Sequence, residues 1–88
     1  MDNYIRYRRT QVAHLRPVTD QDILQFDKTG SLLETTPSGE LVNVSISTED
    51  LTAGSPLIGD MIARNPSNHN DVWLVAEEYF KNNFEEIK

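Results

Sequence analysis

The segment Gly59–Glu85 constrains the fold most. It holds the only Trp, two of the three Phe and one of the three Tyr of an 88-residue chain. Met61 to Arg64 is an apolar run that ends in a basic residue. Asn65-Pro-Ser-Asn-His-Asn-Asp71 follows as a polar turn, rich in side chains that mimic backbone turn bonds. Val72 to Val75 then returns as a second apolar run, and Ala76, Tyr79, Phe80 and Phe84 fall at helical spacing. The segment is expected to form strand, turn, strand and a short amphipathic helix, and to carry much of the core.

The rest of the chain adds strands and turns. Gln11 to Arg16 alternates loosely and is expected to be a strand that ends, or lies at a sheet edge, at Pro17, which cannot donate to a ladder. Thr19 followed by Asp22 has the spacing of a capping box, so a helix of one or two turns should start there and stop at Gly30. Pro37-Ser-Gly39 lies between two apolar runs. Pro sets φ at the second turn position and Gly supplies a positive φ after it, so a hairpin turn is expected. Val42, Val44 and Ile46 alternate with Asn43, Ser45 and Ser47 as in a half-buried strand. Residues 48–58 read as a connecting loop. The expected fold is α+β in one domain, residues 1–88: a small, mostly antiparallel sheet of four or five strands with a short C-terminal helix packed on one face. The expected core is Val12, Val42, Val44, Ile46, Ile62, Leu74, Tyr79, Phe80 and Phe84.

Composition narrows the function classes. With no cysteine, disulfides and thiolate zinc sites are excluded. No apolar run has the length of a membrane span, so the chain reads as soluble and unprocessed, and the absence of cysteine fits a reducing cytoplasm. Charge is uneven. The first sixteen residues hold Arg6, Arg8, Arg9 and Arg16 against Asp2, whereas residues 17–88 hold thirteen acids and four bases. An acidic body opposes the phosphate field, so direct nucleic-acid binding is not expected. The same body suits a basic protein partner or a surface that normally receives nucleic acid. It also serves solubility.

The residues point away from an enzyme. His14 and His69 have no neighbours in sequence that would make a triad or a metal site. The four glycines form no phosphate-binding loop. Asp60 and Asp71 read as turn-closing or capping acids rather than a catalytic pair. No cofactor or metal is expected. The candidate binding residues are Arg8, Arg9, Arg64, Asn65 and Trp73. The arginines could form a cationic pocket for a phosphate or carboxylate; alternatively they pair with Glu77, Glu78 or Asp60. Trp73 could be core or an interface anchor. Self-association is a further expectation, since a small chain has strand edges to cover.

One resemblance rests on specific residues: Tyr7-Arg8-Arg9 near the start, Gly59-Asp60-Met61-Ile62, Val72-Trp-Leu-Val75 and Tyr79-Phe-Lys-Asn-Asn-Phe-Glu85. This set resembles a family of small uncharacterised proteins of tailed bacteriophages and prophages. A closer group within it shares Met-Ile-Ala-Arg-Asn-Pro, present here as Met61–Pro66, followed by Trp-Leu-Val-Ala and Tyr-Phe. The resemblance covers about the first ten and last thirty residues, and residues 18–56 lie outside it. It implies a phage origin, a small α+β fold and an infected bacterial cell as the setting. It carries no catalytic residue. The expected function is non-enzymatic: binding and modulation or inhibition of a host factor, such as a defence complex or the transcription machinery. The alternative is a sponge that sequesters a nucleotide-derived immune signal.

Overall fold

The computed structural model describes Ile5 and residues 12–86. The element order is β1 (His14–Pro17), α1 (Asp20–Thr29), β2 (Leu33–Thr35), β3 (Leu41–Asn43), α2 (Thr48–Thr52), β4 (Met61–Asn65), β5 (Asn68–Val75) and α3 (Glu77–Asn83). The fold is α+β, with an antiparallel three-stranded sheet ordered β1-β4-β5 and an antiparallel β2-β3 pair. The two are joined beyond β3. Ser45 runs parallel to Trp73, its N–H donating to Val72 O at 3.1 Å and its carbonyl accepting from Leu74 N at 2.8 Å.

Local chemistry explains most element boundaries. The Thr19 hydroxyl accepts from Asp22 N, and the Asp22 carboxylate accepts from Thr19 N, which is the expected capping box. Gly30 ends α1 in the left-handed region at φ 75, its N–H donating to Phe26 O. The helix runs ten residues rather than one or two turns. Between β2 and β3, Gly39 N donates to Thr36 O across Pro37 and Ser38, and Gly39 sits at φ 92. The expected turn is therefore present. In residues 48–58 the expected loop contains α2, capped by Ser47, whose hydroxyl accepts from Asp50 N. The polar turn is tighter than expected: Asn65 pairs with Asn68 across Pro66 and Ser67, with an irregular register after Arg64.

Register sorts side chains between the two faces of the sheet, because partners across strands share a face. Arg16, Ile62 and Leu74 form one row, and His14, Arg64 and Val72 form the next on the same face. The buried cluster Val18, Leu32, Val44, Ile62, Val72 and Leu74 lies on this side, with Ile23 and Phe26 of α1 packed against it. Leu15, Ala63 and Trp73 share the opposite face, as do Pro17, Met61 and Val75. Ala63 and Val75 are buried there.

The expected core is partly corrected. Val44, Ile62 and Leu74 are buried, while Val42, Ile46, Phe80 and Phe84 are half-buried. Val12 is 44% and Tyr79 53% exposed, and no residue of α3 is fully buried. The aromatic side chains at this end pack largely on one another: Phe80 stacks on Phe84 at 5.9 Å, and Tyr79 meets Phe84 edge-on at 6.2 Å. The deepest side chains are Leu32 and Ile62. Leu32→Ala should therefore cost about 2–5 kcal/mol, and Phe80→Ala distinctly less. Denaturant melts of the two variants check this order.

Polar side chains close the sheet onto the β2-β3 pair. Arg16 in β1 donates through Nη1 and Nη2 to the two oxygens of Asp22 in α1, at 2.8 and 3.2 Å. Its Nε donates to Glu34 in β2 at 2.6 Å. The hydrogen bond to Asp22 is the main cause that raises Arg16 above its ordinary pKa, reinforced by Glu34. Burial alone would raise the Asp22 carboxyl, but bonds from Arg16 and Thr19 outweigh it and hold the group below the usual range. A carboxyl lowered on folding stabilises fully above its unfolded value of about 3.9, and that contribution fades as pH falls through the folded value. The stability gap between wild type and Asp22→Asn should thus be widest near neutral pH and narrow below about pH 4. Urea midpoints taken from neutral to strongly acidic pH measure it.

Candidate functional site

Arg64 sits where β4 meets its turn, opposite His14 on β1. Two strand pairings fix its backbone, and the register shift after it ends the regular ladder. Its side chain lies on the face that the β2-β3 pair approaches. There, His14, Leu15, Arg16, Glu34, Thr35, Ile62 and Arg64 line a shallow hollow of about 190 Å³ at the seam between β1 and β2. The Arg16–Glu34 bond forms one wall of that seam.

Within the hollow the two arginines differ. Arg16 is satisfied by Asp22 and Glu34. Arg64 makes no ion pair among the described residues. Its Nη2 lies 3.4 Å from His14 Nδ1, and its Nε is buried without a hydrogen-bond partner. An unpaired buried donor costs about 1–3 kcal/mol. A carboxylate or phosphate oxygen that swung the guanidinium outward would satisfy it and gain a two-pronged contact.

Of the candidate residues, Arg64, Asn65 and Trp73 do not converge. Arg64 lines the hollow. Asn65 is used in its own turn, where its side-chain oxygen accepts from Ser67 N at 2.9 Å and its amide donates to Asp71 at 3.3 Å. Trp73 is half-buried in β5, beside Ala63 and hence on the other face of the sheet from Arg64. One ligand therefore cannot sit against Arg64 and Trp73 together within this sheet. Arg8 and Arg9 lie outside the described residues. The alternative pairing of Arg64 with Asp60, Glu77 or Glu78 is not seen. Arg16, Glu34 and His14 were not legible as hollow residues, because only the folding of β2 over β1 brings them together.

Asp60 has a structural role of the expected kind. It is buried, and its carboxylate accepts from Ser55 Oγ at 2.7 Å, Leu57 N at 2.9 Å and Glu77 N at 3.0 Å. It closes the preceding turn and supplies the cap that Ala76 cannot give α3. No group of three or more His, Cys, Asp or Glu side chains is placed to hold a metal ion among the described residues. No helix among them is long and apolar enough to cross a membrane.

Comparison of the chain with protein-family models, with curated proteins and with solved structures found no match. Arg64→Met keeps the apolar stem in place and removes the orphaned donor. Its unfolding midpoint should equal or exceed that of the wild type, whereas a loss of more than about 1 kcal/mol would reveal a partner for the guanidinium.

Proposed function

We propose that this protein is a non-enzymatic binding protein of the small bacteriophage type, acting in the cytoplasm of an infected bacterium. Its role is to occupy a cationic surface of a host protein, a defence complex or part of the transcription machinery, and so to modulate or inhibit it. The observation that carries the reading is the state of its acids. Asp20, Asp27, Glu40, Glu49, Glu78 and Glu85 are all exposed, and none has an ion-pair partner among the described residues. Unpaired exposed charge of one sign speeds association with an opposite surface and sets its salt dependence.

The second reading, a nucleotide sponge, has the Arg64 hollow in its favour and two features against it. Small-molecule sites usually enclose about 300–1,000 Å³, and this hollow is smaller and open to one side, with about 190 Å³. The aromatic face that would stack a base, Trp73, lies across the sheet from Arg64. Of the sheet edges, β1 suits self-pairing poorly, since it is four residues long and ends in a proline.

Affinity capture from bacterial lysate, with elution by rising salt, tests the first reading against the second when combined with thermal melts in a nucleotide panel. The proposal expects a basic partner that is released as salt shortens the screening length from about 10 Å towards 3 Å. It also expects melting temperatures that nucleotides leave unchanged. A ligand-dependent rise of several degrees with one nucleotide, the mass-action signature of a bound native state, would overturn it in favour of the sponge.

A further inference from the structure

The segment between α2 and β4 folds with its polarity reversed. Ser55 and Asp60 are buried at 6% and 4% exposure, and Pro56 is buried between them in sequence. Leu57 and Ile58, which would ordinarily go inside, are 48% and 61% exposed. The cause is the Asp60 carboxylate. It draws in the Ser55 hydroxyl and the Leu57 N–H, and Ser55 N donates to Asp50 O at 2.9 Å, so the loop backbone is held on both sides. Leu51, at the other end of this hydrogen-bonded loop, is 45% exposed, and the Leu57 side chain lies against Gly54. Three large aliphatic side chains thus stand out from an anchored backbone. Anchoring lowers the entropy lost when they are covered.

The rim of this apolar group is acidic. Glu49 and Asp50 belong to α2 beside Leu51, and the Glu77 carboxyl, paired with Lys81 at 3.2 Å, lies against Gly59, next to Ile58, so the rim keeps a net negative charge. A second copy of the chain docking through the same surface would set acids against acids, which costs affinity. An apolar centre with an acidic rim instead fits a segment that alternates aliphatic and basic side chains. We propose that the exposed loop carrying Leu51, Leu57 and Ile58 is the docking surface for a cationic amphipathic segment of a partner protein. The inference rests on the reading of the chain as a binder of a basic host protein, and names the surface that makes the contact.

NMR titration of the full chain tests it with three synthetic peptides. One contains Lys and Leu, one has Lys and Ser at equal charge, and one has Glu and Leu at equal apolar content. The Lys/Leu peptide should move the amides of residues 49–60 and bind at least about tenfold tighter than either of the others. Leu57→Ser with Ile58→Ser should remove that preference while leaving the unfolding midpoint close to wild type, since both side chains are exposed. Equal binding of the Lys/Ser peptide would overturn the docking surface and leave the charge-based reading of function standing. Shifts centred on Arg64 would do the same. No binding of either cationic peptide would overturn both. Sedimentation of a dimer that the double variant dissolves would assign the surface to a second copy and reject the proposal.

Discussion

The buried carboxylate of Asp60 takes three hydrogen bonds from parts of the chain that no regular ladder connects: the Ser55 hydroxyl, the Leu57 amide and the first amide of α3. Its own backbone carbonyl accepts from Val18 N at 2.9 Å, at the junction of β1 and α1. A buried carboxylate is costly unless such donors surround it. Once they do, it fixes the loop before β4, the start of α3 and the entry to α1 at one point. Gly59 makes this approach feasible. It sits at φ 107, and a side chain built there would run into Glu77. The same bonds turn Ser55 inward and leave Leu57 and Ile58 outward, so the anchoring of the fold and the exposure of its apolar loop have one cause.

Polar anchors matter here because the apolar core is small. Apart from Pro56, eight apolar side chains are buried among the described residues, several of them valine or alanine. A domain of this size hides a modest share of its surface. Arg16 supplies the second anchor, binding α1 through Asp22 and β2 through Glu34 from the edge of the sheet. Ser45 closes the other side by joining β5 in parallel. The five strands therefore curl around one cluster, and the seam left between β1 and β2 becomes the hollow that holds Arg64.

Features set by neighbouring residues were readable in advance. Thr19 with Asp22, Gly30, and Pro37 with Gly39 all act within a few positions, and burial alternates from Val42 to Ile46 as expected, although β3 itself ends at Asn43. Features set by tertiary contacts were not. Val18 and Leu32 flank elements rather than marking a periodic stripe, yet they close the core. Tyr79 has helical spacing with Phe80 but faces solvent, and no residue of α3 is fully buried. Ser47 followed by Asp50 is a capping signal, but the surrounding polar, glycine-containing stretch obscures it and reads as loop. The candidate site was legible only in part. Arg64 was identified by its charge against an acidic body, but whether Trp73 shared its face depended on strand register, which residue types alone do not determine. The apolar loop gave no signal at all, since exposure of Leu57 and Ile58 follows from where one carboxylate points.

Amide hydrogen exchange at Leu57 and Glu77 tests the central role of Asp60 most directly. The two amides lie twenty positions apart and share a single acceptor side chain. Leu57 is in an exposed loop and has no other reason for slow exchange. If Asp60 has that role, both amides are protected in the wild type and Asp60→Ala abolishes both protections together, while the ladder amides of β4 and β5 keep most of theirs. Fast exchange at Leu57 in the wild type, or protection at Glu77 that survives Asp60→Ala, would contradict it.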